Sequence, residues 1–367
     1  MSREPRVLVL TGFPAIGGPL PKLTPLLTDG LRRAGFRVHV MGWSAHGAGR
    51  EPAAVKIAGR SGDLVRVHRF VRRWRPDVIY VATAHNWPGL LRDLPLALSL
   101  PRGQPPLVIH FHGSESARVL RPGSRLFKWS SRLLVRRAAA VLLLSREEQR
   151  EWRRFCPEGH YEVVLNPFVP EHQGDGSAAA EAAQTPVIFT VARLIPSKGI
   201  FDLLEAFAIL RRRRTCRLAY AGTGESADEL AVRVEELGLE QDVDLLGYVS
   251  GDALDAAYRR ASVFALPTYF AEGFPLSIME AMSYGLPVVT TPIRGCVDWL
   301  AEGTNAAFVP PRDPPELAAT LARLLDDGPA RLAMGRANAA AVAGFAPDKV
   351  VPAYADVLRS TMKGAPA

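Results

Sequence analysis

The stretch from residue 264 to residue 290 constrains the fold of this chain more than any other, because two short apolar runs flank one helix-forming segment. The first run, residues 264–266, is typical of a short buried strand. Residues 277–283 favour a helix that stops at Gly285, and residues 288–290 form the second apolar run. Strand, loop, helix and strand in this order predict a parallel βαβ unit.

The loop between the first strand and the helix is the position at which such units bind ligands. It lies outside the carboxyl end of the strand and leads into a helix N-terminus with free N–H groups. Gly273 lets the backbone approach a ligand closely, and Pro275 suits the first helical turn. The amides of Leu276 and Ser277 stay available as donors, so the sequence predicts an anion site here.

Two glutamates flank this predicted anion site. Glu272 lies in the loop and Glu280 one turn into the helix, so their carboxylates can accept hydrogen bonds from sugar or ribose hydroxyls. A phosphate beside a polyol indicates a sugar nucleotide. A structural interpretation stays open, because Ser277 and Glu280 have the spacing of a capping box and Glu272 fits a solvated loop residue.

The segment EGFPLSIMEAMSYGLPVVTT, which begins at Glu272, resembles the donor-binding signature of retaining GT-B glycosyltransferases, in particular the large family four. Two glutamates are separated by seven residues, and the glycine, the Pro-Leu, the Glu-Ala-Met and the Gly-Leu-Pro-Val-Val fall in order. The resemblance implies that Glu280 grips the ribose and that Glu272 holds donor-sugar hydroxyls. The remaining donor-binding residues that it implies in this segment are Gly273, Phe274, Leu276 and Ser277.

Length and alternation predict two α/β domains. With 367 residues and 48% hydrophobic content, the chain is long for one core. Apolar runs alternate with helix-forming segments, as in open parallel sheets. The resemblance implies a GT-B architecture of two Rossmann-like domains whose parallel sheets face a central cleft. The expected parts are an acceptor-binding domain at 1–171, a linker at 172–185, a donor-binding domain at 186–345, and a helix at 346–367 that crosses back to the first domain.

Two cations follow the strand predicted at 186–192. Arg193 offers planar forked donors and Lys198 a point charge, and a helix N-terminus beside them completes a site suited to a diphosphate. Solvated surface charges are the plainer interpretation. In the family that the chain resembles, an arginine and a lysine with this spacing lie on the leaving diphosphate.

The resemblance also assigns roles to two glycine loops and one tyrosine. Gly222, Gly224 and Tyr248 are expected to border the nucleotide base. Gly17 and Gly18 are expected to approach the donor diphosphate and the acceptor, with a tight turn as the plain alternative. The spacing of the first glycines is not Gly-x-Gly-x-x-Gly, so a dinucleotide cofactor is not indicated.

Two histidines alternate along the apolar run at 106–112. Alternate residues of a strand share a face, so His110 and His112 are expected together near the strand's carboxyl end. The family usually carries a histidine here beside the donor sugar, and His112 followed by Gly113 matches it better. A satisfied core histidine is the alternative. His85, which ends the preceding strand, is a further candidate for the same cleft.

The positive charge of the chain is concentrated in its first half. The net charge is +8, but residues 1–170 hold 27 Lys+Arg against 12 Asp+Glu, whereas residues 171–367 hold 18 against 25. Residues 122–139 predict a basic amphipathic helix. Its basic and apolar members are Arg125, Lys128, Arg132, Arg136 and Arg137, interleaved with Leu126, Phe127, Trp129, Leu133 and Leu134. Packing on the sheet with a solvated edge is the commoner explanation, and docking on an anionic membrane that carries lipid-linked acceptors is the alternative.

Metal, disulfide and membrane-spanning signals are weak. Cys156, Cys216 and Cys296 are scattered and odd in number, which favours reduced thiols. The Asp-Val-Asp run at 242–244 resembles a metal motif of another glycosyltransferase fold, but it precedes a strand instead of ending one. We therefore expect no metal and no cofactor beyond the donor.

No run of eighteen apolar residues and no signal-peptide pattern appear, which favours a cytoplasmic enzyme. If the basic helix docks on a membrane, the enzyme would be peripheral on the inner membrane face.

These patterns predict a nucleotide-sugar-dependent, metal-independent glycosyltransferase. It would transfer sugar to a hydroxyl of a glycan or lipid-linked acceptor with retention of anomeric configuration, in cell-surface polysaccharide or glycoconjugate biosynthesis. The expected catalytic residues are Arg193, Lys198, Glu272 and His112. Two alternatives stay open: a GT-B sugar-nucleotide epimerase that uses the donor site without an acceptor, and a nucleic-acid-binding protein that uses the basic first half, although no recognised nucleic-acid motif appears.

Overall fold

The structure is a computed structural model that describes residues 3–12, 20–43, 53–101, 105–114, 116–171 and 185–363, with only the backbone described at 53–58 and 60. Contacts divide the chain into two compact units. The first comprises Met1–Phe168, Ala271–Gly273 and Phe345–Ala367, and the second comprises Val169–Phe270 and Phe274–Gly344. Among the described residues, each unit contains one six-stranded sheet in which every pair of neighbouring strands is parallel.

The first unit has the strand order β2-β1-β3-β4-β5-β6. Its strands are β1 Arg6–Thr11, β2 Arg37–Gly42, β3 Val78–His85, β4 Leu107–Ser114, β5 Ala140–Leu143 and β6 Tyr161–Val163. Its helices are α1 Leu20–Arg33, α2 Ala53–Trp74, α3 Trp87–Ser99, α4 Ser116–Leu120, α5 Arg125–Arg137 and α6 Arg146–Phe155. The order reverses between β1 and β3, which is the switch point of a doubly wound fold.

The second unit has the strand order β12-β11-β10-β7-β8-β9. Its strands are β7 Val187–Val191, β8 Arg217–Ala221, β9 Val243–Leu245, β10 Val263–Leu266, β11 Val288–Thr290 and β12 Ala307–Phe308. Its helices are α7 Ile200–Arg211, α8 Ala227–Glu236, α9 Asp252–Arg260, α10 Leu276–Ser283, α11 Gly295–Trp299, α12 Pro314–Asp326 and α13 Gly328–Ala341. Here the switch point lies between β7 and β10.

Burial explains why the central strands are unbroken apolar runs in the sequence. Each residue of β10 is at most 1% exposed, and β5 is equally buried. Helices cover both faces of such parallel sheets, so every side chain of a central strand enters the core. Edge strand β2 differs, because half of its six residues are exposed.

The C-terminal helix α14, Pro347–Lys363, belongs to the first unit. It packs against α1 so closely that a Cβ at Gly30 would lie 2.6 Å from Cγ2 of Val351. The hydroxyl of Tyr354 donates to the carbonyl of Leu165 at 3.0 Å. The last helix thereby completes the core of the unit that contains the N-terminal sheet.

Several predicted elements shift by a few residues. The basic helix predicted at 122–139 is confirmed as α5, although it begins at Arg125. Ser124 is its N-cap residue, and the Ser124 hydroxyl accepts a hydrogen bond from the amide of Phe127. The three cysteines are free and buried. The linker predicted at 172–185 lies outside the described residues except for Thr185. Within the described part of the chain, no helix is long and apolar enough to cross a bilayer.

Candidate functional site

The loops that follow β7 and β10 lie at the switch point of the second sheet, where doubly wound folds bind their ligands. Arg193 is exposed in the loop after β7, and a short 3-10 helix at Pro196–Lys198 carries the half-buried Lys198. Gly199 then takes a φ of +73° before α7 begins. The structure thus positions both predicted cations at the carboxyl edge of the sheet.

Backbone contacts fix the position of Lys198. A Cβ at Gly199 would lie 2.2 Å from the carbonyl oxygen of Pro267, so only glycine allows the two loops to approach. The amide of Tyr269 donates to the carbonyl of Ser197 at 2.9 Å. The hydroxyl of Thr268 also donates to that carbonyl, at 3.4 Å. The loop after β10 therefore holds the short helix that carries the lysine.

One aromatic ring lies beside both cations. The centroid of the Phe270 ring is 5.4 Å from Cζ of Arg193 and 5.2 Å from Nζ of Lys198. Both distances fall in the range of cation–π attraction. Phe270 is not evident from the sequence, because no local pattern indicates which aromatic side chain meets two cations more than seventy residues away.

The glycine turn after β8 packs against the loop that carries Arg193. A Cβ at Gly222, whose φ is +134°, would lie 1.9 Å from the carbonyl oxygen of Ala192. A Cβ at Gly224 would lie 2.1 Å from the carbonyl oxygen of Leu194. These two glycines are thus required by backbone packing, and their contact with a nucleotide base stays a prediction. Tyr248, 78% exposed, is predicted to border the same base.

Helix α10 begins at Leu276, with Pro275 as its N-cap residue and no side chain capping it. The amides of Leu276 and Ser277 belong to the first turn, where N–H groups have no acceptor within the helix. The capping-box alternative is wrong, because Ser277 is the second residue of the helix and not its cap. Instead, the Glu280 carboxylate accepts a hydrogen bond from the Tyr258 hydroxyl, with Oε2 and Oη 2.9 Å apart.

Tyr258 on α9 contacts Glu280, although no local sequence pattern indicates this pairing. Its ring stacks on Tyr284 with centroids 4.8 Å apart, and the Tyr284 hydroxyl donates to Asp255 at 2.9 Å. Burial, with the neighbouring Glu280 carboxylate, raises the pKa of Tyr258 well above its usual value. The hydroxyl therefore stays protonated and remains a donor that orients Glu280.

The loop residues before α10 divide between the two units. Glu272, half-buried, and Gly273 belong by their contacts to the first unit, whereas Phe274, 4% exposed, belongs to the second. A Cβ at Gly273 would lie 2.3 Å from the Cβ of Leu144, so packing against Leu144 also requires a glycine at this position. The roles of Glu272, Gly273 and Phe274 towards a ligand stay predictions.

Three histidines of the first unit have little contact with solvent: His85 and His110 are fully buried, and His112 is half-buried. The rings of His110 and His112 lie together with centroids 3.9 Å apart, as expected for alternate residues of β4. The Tyr80 hydroxyl is 2.6 Å from Nδ1 of His110. Burial lowers the pKa of His112 to about 4, and burial with the nearby His112 lowers the pKa of His110 well below its usual value. His85 is also buried, which together with Arg118 lowers its pKa to about 3. All three are neutral at pH 7.

The predicted glycines Gly17 and Gly18 lie outside the described residues, so their approach to the donor diphosphate stays a prediction. The acidic pair at 242–244 forms ion pairs, because Asp242 lies 2.8 Å from Arg211 and Asp244 lies 2.7 Å from Arg217. Strand β9 begins at Val243, so Asp244 lies within the strand and not before it. The expectation of a metal-independent reaction stays a prediction.

Family comparisons cover most of both units. Residues 177–340 match the model of Glycosyl transferases group 1, and residues 26–172 match that of Glycosyltransferase Family 4. The chain is a group 1 glycosyltransferase. This assignment favours glycosyl transfer over the epimerase and the nucleic-acid-binding protein that the sequence left open.

Similar proteins agree with this family. The glycosyltransferase is 29% identical over 288 residues to alpha-D-kanosaminyltransferase of Streptomyces kanamyceticus, an alignment that covers 74% of each chain. It is 29% identical over 275 residues to a glycogen synthase of Mycobacterium tuberculosis, covering 73% of this chain and 64% of the relative.

Solved structures show the GT-B fold. Sucrose-phosphate synthase from Thermosynechococcus elongatus superimposes with a TM-score of 0.79 at 17% identity, covering 97% of this chain and 98% of that one. HepE of Anabaena, solved in complex with UDP and glucose, superimposes with a TM-score of 0.72 at 20% identity, covering 96% of this chain and 99% of that one. Identities this low establish the fold of the glycosyltransferase and not its substrates.

Acid should destabilise the first unit of the glycosyltransferase. Since His85, His110 and His112 have pKa values below the unfolded value of about 6.5, the unfolded chain binds protons first as the pH falls. Their stabilisation is present above pH ~6.5 and is lost below it, by about 1.4 kcal/mol per histidine between pH ~7.5 and ~5.5. Tryptophan fluorescence in urea measures this loss, because only Trp299 of the six tryptophans lies outside the first unit.

The matched variant for this test is His112→Asn. It should remove roughly a third of the acid-dependent fall in the urea midpoint, since two of the three histidines remain. A midpoint that stays constant across this pH range would show that these histidines are not buried in the neutral form.

Proposed function

We propose that this group 1 glycosyltransferase, which takes its sugar from a nucleotide-sugar donor, transfers it to a hydroxyl of a glycan or lipid-linked acceptor with retention of configuration and without a metal. The observation that carries the proposal is the switch point between β7 and β10. Arg193 and Lys198 follow β7, and the uncapped first turn of α10 follows β10. Two cations and free N–H groups suit the donor diphosphate.

Positive charge at this position would supply the main catalytic effect. Breaking the anomeric bond creates an oxocarbenium-like sugar and a diphosphate anion. Arg193, Lys198 and the amides at the start of α10 would stabilise that anion as it forms, since preorganised donors act most strongly on developing charge. The departing phosphate oxygen would take the proton of the acceptor hydroxyl as the new glycosidic bond forms.

The acidic and neutral groups would hold the sugars. Glu280 would accept hydrogen bonds from the ribose hydroxyls, and Tyr258 would keep its carboxylate in place. Glu272 would hold hydroxyls of the donor sugar. His112, neutral at pH 7, would act beside that sugar as a hydrogen-bonding group and not as a charge.

The nucleotide base would lie near the turn after β8. Gly222 and Gly224 would border it, and the exposed ring of Tyr248 offers an aromatic face for stacking. HepE of Anabaena binds UDP and UDP-glucose, so UDP-sugars are the first donors to test. A donor panel read by nucleotide release, followed by product analysis with and without acceptors, tests transfer against epimerisation. We place the activity in polysaccharide or glycoconjugate biosynthesis.

Substitutions in the donor site should separate binding from chemistry. Lys198→Ala should lower kcat on the order of a hundredfold, as expected for a lost oxyanion donor. Glu280→Gln should raise the donor KM and leave the fold intact, because it weakens a ribose contact present before the reaction. Steady-state kinetics with the best donor measures both, with Lys349→Ala, an exposed lysine of α14, as the control. Wild-type rates in Lys198→Ala and Glu280→Gln contradict these roles.

The hydroxyl of Tyr258 should affect the donor KM through Glu280. Tyr258→Phe keeps the stacked ring but removes a hydrogen bond to a charged group, so we expect the donor KM to rise about tenfold with kcat nearly unchanged. Tyr284→Phe is the matched control, because its hydroxyl bonds Asp255 and not Glu280. Equal KM values in the two variants would remove Tyr258 from the donor site.

Helix α5 is the element that would meet a membrane-bound acceptor. Its inner side is buried through Phe127, Leu134 and Val135, whereas Leu126 and Trp129 are 61% and 58% exposed. The exposed apolar side chains stand among exposed arginines, and a shallow surface pocket is lined by Trp129, Arg132, Leu133, Arg136 and Arg137. Apolar anchors among cations suit an anionic lipid surface.

Vesicle sedimentation tests this docking. The chain should sediment with vesicles that contain acidic lipid and much less with neutral ones, and added salt should weaken the binding. Trp129→Ser with Arg125→Glu should reduce sedimentation. Arg69→Glu makes the same charge change at an exposed position of α2 and should have a smaller effect. Equal binding to acidic and neutral vesicles, or no binding to either, would contradict the docking of α5 on an anionic membrane.

A further inference from the structure

We propose that Phe270 is a positioning residue whose ring holds Arg193 and Lys198 together before the donor diphosphate binds. The inference rests on the proposed function, in which these two cations bind the leaving diphosphate. Neither the family signature nor the local sequence pattern pointed to this side chain. Phe270 would act through the two cations and would not itself touch the reacting atoms.

The geometry gives both cations the same aromatic partner. Cζ of Arg193 and Nζ of Lys198 lie 5.4 and 5.2 Å from the ring centroid, and Phe270 is half-buried. An aromatic face attracts a cation within about 6 Å, and more strongly where water is partly excluded. The adjacent Tyr269 meets a different cation, Arg312, at 4.4 Å from its ring centroid. Neighbouring rings of this loop thus serve separate cations.

The ring offsets forces that favour separation of the two cations. Like charges repel each other, and each side chain gains hydration by turning outward into solvent. Attraction of both cations to one ring favours the arrangement that a diphosphate requires. Because the cations are then already in place, less reorganisation accompanies anion binding and the formation of the departing diphosphate.

The backbone of Phe270 is fixed to the loop that carries the lysine. The amide of Phe270 donates to the Thr268 hydroxyl at 3.1 Å, and that hydroxyl donates to the carbonyl of Ser197. Thr268 is fully buried, and its carbonyl accepts a hydrogen bond from the Thr291 hydroxyl. Ser197 immediately precedes Lys198. The backbone at Phe270 and the short helix that carries Lys198 therefore share one hydrogen-bonded frame.

Pyrophosphate binding to the full chain, measured by calorimetry, tests the inference. Phe270→Leu should weaken binding about fivefold, since it keeps an apolar side chain but loses the aromatic face. Phe270→Tyr keeps the face and should bind as the wild type does. Tyr269→Leu, which removes the ring beside Arg312, is the matched control and should change binding less than twofold. Wild-type affinity in Phe270→Leu, in a variant that melts at the wild-type temperature, overturns the inference.

Fluorinated phenylalanines at position 270 separate electronics from packing. Each added fluorine weakens the negative face of the ring while its shape changes little, so pyrophosphate affinity should fall stepwise along the series. The kcat should fall with it, whereas the melting temperature should not follow the same order. Equal affinities along the series show a purely packing role and overturn the inference.

Removing the cations distinguishes failure of this inference from failure of the proposed function. If Arg193→Gln and Lys198→Met each weaken pyrophosphate binding while Phe270→Leu does not, only the role of the ring is wrong. If neither cation variant weakens binding, the diphosphate site is wrong and the inference falls with it. In the double variant that lacks both cations, Phe270→Leu should cause no further loss, because the ring then has nothing to position.

Discussion

Close approach of backbone loops at the carboxyl edge of the second sheet determines where the cations lie. A Cβ added at Gly222 or Gly224 would lie 1.9 or 2.1 Å from the carbonyl oxygen of Ala192 or Leu194, and one added at Gly199 would lie 2.2 Å from that of Pro267. Side chains larger than hydrogen would push these loops apart. The loop that carries Arg193 and Lys198 is thus confined from two sides.

This confinement concentrates unlike groups around one predicted donor. The cations and the first turn of α10 would receive the diphosphate, and Glu280, oriented by Tyr258, would receive the ribose.

The sequence predicted those features that depend on local patterns. Parallel strands such as β10 are continuous apolar runs, so the sequence predicted the parallel sheets. The loop after β7 carries Arg193 and Lys198 directly after such a run, so the sequence also predicted the two cations. The pair of Tyr258 and Glu280 is 22 residues apart and depends on how α9 packs on α10, which no local pattern shows. Gly222, Gly224 and Gly273, which were predicted as ligand contacts, are also required by packing. Helix α10 begins at Leu276, one residue before the predicted start.

The structure of the chain with UDP bound, determined by crystallography, tests the central claim most directly. The account predicts diphosphate oxygens within hydrogen-bonding distance of Arg193 and Lys198 and of the amides of Leu276 or Ser277, with the ribose hydroxyls on Glu280. A diphosphate that lies elsewhere, with both cations directed away from it, would contradict the account.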